Sequence, residues 1–419
     1  MDVSTPSLPV DFHDPRVIAD PYPVYARLRR EEPLWHNPAS GSWTVTRYAD
    51  VRKVLDASEF SNTRFEELFA RLPPGDRRVA EPLRQILEPR LLFTEQERHQ
   101  RLRGLLMQGF TPAHLQRFAS LIEDRLDGLL QGLPEGEPVE FLGRVCGRLP
   151  GLVILALLGI PVDEQERMRG WTDDIYAWMG HFPGTLLDRT RRALAAMDGL
   201  TARLRAYREE VKAAPRNDLL SVWVHAEQEG KFLDEAELIA NLIGLVNAGQ
   251  ETTGCLLANG LLRLLQFPEA MNHLRQTPEA IPTAVEEMLR YDAPAQFVAR
   301  RVITPTTLEG VDLEPGTLIA VGLGSANRDE AVFDHPDTFD VTRHPNPHLS
   351  FGHGRHFCIG NTLARLEASI LFRTVLQRFP SITPAWRGAC PEWRPTLSFR
   401  CPASLPLVVR STSGSPSHP

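Results

Sequence analysis

The sequence predicts a mainly α chain with a small β portion, and three observations lead there. Apolar residues recur at three-and-four spacing over most of the length, the signature of helices with one buried face. The β-like runs are short and scattered, unlike alternating βαβ units or a row of sandwich strands. No repeat of 20 to 50 residues and no Gly/Ser linker divides the chain. One domain is therefore expected over residues 1–409, with 410–419, ending in STSGSPSHP, as a disordered tail.

In chain order, the helical pattern covers 20–32, 94–109, 112–132, 139–159, 163–181, 187–213, 234–266, 268–275, 279–291 and 360–379. Short β-like runs fall at 34–36, 42–46, 299–303, 307–313, 317–321 and near 397–409, so the β portion draws on both ends of the chain. Thr94 and Glu97 have the T-x-x-E spacing of a capping box. Asp234 and Glu237 mark the start of a segment that runs to Gln266, about 50 Å at the standard helical rise. It is apolar nearly all round, which places it in the interior.

Composition excludes several classes. A net charge of −7 argues against a general nucleic-acid binder. The N-terminus MDVSTPSLPVDF lacks a basic and then apolar leader, and the apolar stretch Gly151 to Val162 is too short to span a bilayer. The cysteines are odd in number (Cys146, Cys255, Cys358, Cys390, Cys401) with no CxxC spacing, so a disulfide scaffold is not expected. A cytoplasmic, reduced protein without a membrane span is the expectation.

Two stretches carry chemistry. Inside the long helix, Ala248-Gly249-Gln250-Glu251-Thr252-Thr253 sets a glycine, an acid and an alcohol where apolar residues should continue. A buried carboxylate is costly unless paired or solvated. A threonine hydroxyl can bond the carbonyl four residues back, here that of Ala248. Such a patch is either a face that reaches solvent or a proton relay opening into a cavity.

The second stretch is Phe351-Gly352-His353-Gly354-Arg355-His356-Phe357-Cys358-Ile359-Gly360. Its glycines allow a tight loop, and Cys358 stands just before a helix start, where a thiolate is favoured. The glycines do not match a dinucleotide-binding loop. Zinc held by His353, His356 and Cys358 is one reading, and a single thiolate on haem iron is another.

Phe351-x-x-Gly354-x-x-x-Cys358-x-Gly360 resembles the haem-thiolate signature of the cytochrome P-450 superfamily. Three further motifs stand in the family's order: Ala248-Gly249-x-Glu251-Thr252, Glu287-Met288-Leu289-Arg290, and His99-x-x-x-Arg103. The resemblance covers about Asp14 to Val409 and implies the soluble bacterial-type fold, with a long central helix over a haem.

It also implies roles. Cys358 would be the axial ligand of the iron in haem b. His99, Arg103, Arg300 and His356 would contact the haem propionates, with Arg355 facing outward, and Gly352 and Gly360 would shape the loop. Thr252 and Glu251 would deliver protons, with Gln250 tuning the cavity between them. Glu287 and Arg290 would form a structural ion pair. Thr338 replaces the arginine that joins this pair in many relatives, so the third member is missing from its usual place.

The implied activity is monooxygenation: one atom of O2 enters an apolar small molecule or natural-product scaffold by hydroxylation or epoxidation. Desaturation or oxidative coupling could run on the same machinery, and a haem sensor or carrier without turnover is the reading from another class. Leu245, Ala248, Gln296, Val298 and Leu397 are pocket candidates, under a roof carrying Phe65, Phe69, Leu91, Leu92, Trp171, Tyr176, Trp178, Met179 and Phe182. Electrons would come from NAD(P)H only indirectly, through a reductase and a ferredoxin or flavodoxin. Arg98, Arg101, Arg355 and Arg365 are expected to form the patch on which that partner docks.

Overall fold

A computed structural model describes residues 8–38, 40–70, 72–110, 112–179, 185–231, 234–388 and 390–411. Its axis is the central helix Glu235–Gln266, which begins where the sequence places it, with the Asp234 carboxylate accepting the Glu237 N–H at 2.8 Å. The helix is buried from Leu238 to Ile243 and again from Thr253 to Leu262. Between those stretches Gly244, Leu245, Ala248, Gly249, Glu251 and Thr252 keep accessible surface. Helices Leu149–Leu157, Leu186–Ala213, Ile281–Tyr291 and Asn361–Arg378 pack around it.

The β portion is assembled from distant segments. Strand Ser42–Val45 pairs antiparallel with Leu34–Asn37 and parallel with Leu318–Gly322, which in turn pairs antiparallel with Phe297–Val302. Phe60–Ser61 closes the other edge. A second sheet joins Pro138–Glu140, Pro406–Arg410 and Ser381–Pro384. The run read as 307–313 is a small hairpin, Thr306–Leu308 against Val311–Leu313.

Three expectations need correction. Residues 139–159 are not one helix: a strand through Glu140 gives way to a single wide π turn, Leu142–Cys146, and a new helix starts at Leu149. Pro150 has no N–H to continue the earlier helix, and it sits in the new helix's first turn, where none is needed. Thr94 and Glu97 do not form a cap. Helix Gln96–Leu106 starts one residue later, and the Thr94 hydroxyl bonds back to the Leu91 carbonyl at 3.0 Å. Helices Tyr48–Asp56, Pro74–Leu87 and Leu219–Gln228 were not anticipated; the second carries Gly75 and an internal Pro82, which mask its periodicity. Of the expected tail, residues 412–419 lie outside the described residues. Among the described residues no helix is long and apolar enough to cross a membrane.

Buried charge ties the layers together. Fully buried Asp292 accepts from Tyr22 at 2.7 Å and pairs with Arg263 and Arg400, both at 2.6 Å. Burial alone would raise its carboxyl, but the two guanidinium groups hold it well below the usual range. Glu286 is similar: burial opposes ionisation, yet His348 and Arg365 bring the group down to about 2. A carboxyl depressed in the folded state lends stability above its unfolded pKa, and that stability is lost as pH falls through the folded value. The urea midpoint should therefore drop steadily from about pH 4.5 toward pH 2. Glu286→Gln should flatten part of that slope, and an unchanged slope would remove Glu286 as a contributor.

Candidate active site

The loop before helix Asn361–Arg378 is held at both ends. The Cys358 N–H donates to the Phe351 carbonyl at 2.9 Å, and the Asn361 amide donates to the Cys358 carbonyl at 2.7 Å. Gly352 and Gly354 have φ of +73° and +69°, in the left-handed region. A Cβ on Gly354 would stand 2.5 Å from the Asp56 carboxylate, so the loop needs glycine there twice over. Burial pushes the Cys358 thiol up, while the N–H groups of Gly360 and Asn361 and the charges of Arg103 and Arg365 act to lower it. A Cβ on Gly360 would meet nothing within 4 Å.

A group of histidines and arginines lies beside this loop. His99 is 3% exposed and faces His356, with ring centroids 4.3 Å apart. Burial, His356 and Arg103 together lower the His99 imidazole to about 4, so it is neutral at pH 7. Buried Arg300 donates to the Asn62 side chain at 2.6 Å. Arg64 lies over the Phe93 ring and donates to the Asn62 carbonyl. Burial brings both guanidinium groups down to about 10, and Arg64 further lowers Arg300. Glu95 is the acid facing this group: it accepts from Ser61 and Asn62 at 2.8 Å and lies 3.4 Å from both His356 and Arg355. His99 Nε2 and Asn62 Nδ2 are buried without partners. So many donors around one carboxylate suit a ligand that brings two carboxylates of its own.

On the central helix, the Thr252 hydroxyl donates to the Ala248 carbonyl at 2.9 Å, as expected. Glu251 forms an ion pair with Arg394, a partner the sequence did not suggest, and lies 3.8 Å from the Cys255 thiol. Asp173 is close enough to feel it: burial and then Glu251 raise that carboxyl to about 6. Gln250 is turned away, into the helix Leu149–Leu157, where a Cβ on Gly151 would meet its amide at 3.1 Å. It does not line the accessible face.

The sequence model of the cytochrome P450 family matches residues 163–283 and 279–385. The biotin biosynthesis cytochrome P450 of Bacillus subtilis (strain 168) is 34% identical over 401 residues, 93% of this chain and 96% of that protein. The crystal structure of CalO2 superposes with a TM-score of 0.87 at 28% identity, covering 96% of this chain and 99% of that one. A myxobacterial cytochrome P450 in complex with myristic acid gives 0.86 at 33% identity, covering 95% and 98%. The chain belongs to the cytochrome P450 family. It is an oxidoreductase, a haem-iron monooxygenase acting on small molecules.

The P450 also answers the question raised by Thr338. Fully buried Glu287 receives Arg290 through two bonds of 2.7 and 2.8 Å, and Arg343 reaches the same carboxylate at 3.2 Å. Arg343 is thus the third member, five residues further along than the family's usual position. Asn346 and the Asp340 N–H complete the carboxylate's shell at 3.1 and 2.8 Å. Thr338 contributes its backbone carbonyl, to Arg290 at 3.0 Å.

Other candidates find different surroundings. His353 meets Arg52 and His356 meets Glu95, and among the described residues no three His, Cys, Asp or Glu groups converge on a metal position. Arg355 does not face outward; it donates to the Ala57 and Phe60 carbonyls, bracing the loop against the sheet edge. Arg98 and Arg101 both pair with buried Glu237, and Arg365 pairs with Glu286 while lying over Phe351. The four arginines are engaged locally, so they do not form a patch of free charges.

Of the pocket candidates, Leu245, Ala248 and Val298 keep accessible surface and Leu397 is buried. Gln296 is fully buried, donates to the Ala293 carbonyl at 2.7 Å and crowds Gly324, so it belongs to the packing of the wall. In the roof, Phe65 meets Phe93 edge-on, Trp171 fills the space over Gly199, and Trp178 donates to Thr190 at 3.1 Å. Tyr176 donates to the Asn247 carbonyl and packs on Phe399. Phe182 and the Met179 side chain lie outside the described residues.

Proposed function

We propose that Cys358 is the axial thiolate of haem b and that His99, Arg103, Arg300 and His356 hold its propionates, with Gly352 and Gly360 shaping the loop. The orphaned His99 Nε2, buried among histidines and arginines, is the observation that carries this reading. Arg64 joins the set, a member that its burial beside Arg300 supplies. A thiolate-ligated haem, when bound, supplies the reductive activation of O2 and the insertion of one oxygen atom into substrate.

The protein's part is to position groups and move protons. At rest the Thr252 hydroxyl donates its proton to the Ala248 carbonyl, and it delivers a proton to the accessible face of the central helix by turning away from that carbonyl. Glu251 replenishes that proton, and Asp173, raised to about 6, exchanges protons near neutral pH on the solvent side of Glu251. Arg394 fixes the position of the Glu251 carboxylate. Electrons come from NAD(P)H through a reductase and a ferredoxin or flavodoxin. The substrate is an apolar small molecule, in keeping with the accessible Leu245 and Ala248. Cytoplasmic residence belongs to the same reading, since all five cysteines are free.

The test is spectroscopic and then kinetic. Dithionite-reduced protein with carbon monoxide should show the long-wavelength Soret band of a thiolate ligand, and a histidine-type band would overturn the assignment. Thr252→Ala should keep haem and substrate binding but cut product per electron pair by about 10-fold, the rest appearing as peroxide. Unchanged coupling would remove Thr252 from proton delivery.

A further inference from the structure

Arg90 lies in the turn between helix Pro74–Leu87 and the short 3-10 turn Leu91–Phe93, against the central helix, and it is 6% exposed. That turn is fixed. The Leu91 N–H donates to the Asn241 side chain at 2.8 Å, and the Asn241 amide returns a bond to the Pro89 carbonyl at 3.2 Å. The Arg90 methylenes pass over Gly244, where a Cβ would sit 3.6 Å from Cδ. Its Nη2 touches only the Met197 sulfur, at 3.6 Å, and its Nε has no partner. Among the described residues no carboxylate pairs with it. Burial lowers the guanidinium to about 10, which leaves it charged at neutral pH. Asn247 stands three residues after Gly244 on the same side of the helix, 4% exposed, with both amide atoms unpartnered.

A buried guanidinium without a counter-ion is costly, and buried charges are as a rule paired. We propose that Arg90, assisted by the Asn247 amide, binds the carboxylate of an otherwise apolar substrate. This rests on the monooxygenase reading above and adds the chemical class of its substrate. Gly244, Ala248 and Thr252 follow each other at four-residue spacing, so they share one face of the helix. Gly244 and Thr252 are two turns apart, roughly 12 Å along the axis. A substrate anchored at Arg90 therefore presents to Thr252 a carbon remote from its carboxylate, and the product is a mid-chain or distal alcohol.

The experiment compares dodecanoate, methyl dodecanoate and the S-dodecanoyl thioester of pantetheine on the haem-loaded protein. Binding is read both as spin-state shift and as rise in Tm. Dodecanoate should bind at least about 10-fold more tightly than either neutral analogue, the worth of one charge-assisted contact. Arg90→Met should abolish that preference, and Arg90→Lys should restore part of it. Without ligand, Arg90→Met should melt higher than the parent, because it removes an unpaired buried charge. Equal binding of acid and ester, failure of dodecanoate to bind, or a lower melting temperature for unliganded Arg90→Met would each overturn the proposal. If the thiolate carbon monoxide band is intact in the same preparation, only the substrate class has failed; if that band is missing, the monooxygenase reading has failed first.

Discussion

Glu287→Ala should yield little or no haem-loaded protein. The carboxylate is fully buried and carries Arg290 and Arg343 together with Asn346 and the Asp340 N–H. Removing it leaves Arg290, which is 0% exposed, and Arg343 without their carboxylate, held only by backbone carbonyls. Breaking a buried pair in this way costs about 3–5 kcal/mol, a large part of the 5–15 kcal/mol by which a domain is stable. Haem content after expression and the urea midpoint of any folded fraction are the measurements. Arg343→Ala should cost less, because its side chain is 11% exposed and can hydrate. No loss at all in Arg343→Ala would mean that Arg290 alone balances Glu287.

Cys358→His should abolish the thiolate signature completely while sparing the fold. No other thiol stands in this loop: Cys146, Cys255 and Cys401 are buried in the core and Cys390 is exposed elsewhere. The ferrous carbon monoxide spectrum should move to that of a histidine-ligated haem, and monooxygenation should vanish with it. Imidazole lacks the electron release of a thiolate, so the O–O bond is no longer weakened. A thiolate band persisting in the variant would assign the ligand to another cysteine.

Local chemistry was legible in the sequence and tertiary pairing was not. The Asp234 cap, the Thr252 back-bond and the glycine-bounded cysteine loop depend on residues a few positions apart, and they stand as read. Arg343, Arg394 and Arg90 act on groups 56, 143 and more than 100 residues away, a relation no spacing encodes. The Thr94 cap failed because Glu95 is drawn off to Ser61, Asn62 and His356. The single helix over 139–159 failed because the partner strand that claims residues 138–140 lies near the other end of the chain. In each case a distant competitor outbid a sound local preference.

The knot of charge at Asp292 also sets an order of events during synthesis. Tyr22 precedes Asp292 by 270 residues and Arg400 follows it by 108. At about 5–20 residues per second, a ribosome needs roughly 5–20 s to deliver Arg400 after Asp292 has appeared. Throughout that interval the acid has only Arg263 to offset its charge, and the N-terminal layer lacks the guanidinium that grips the Ile18 and Ala19 carbonyls. The docking of the first helices is therefore expected to be completed only by a residue translated hundreds of positions later.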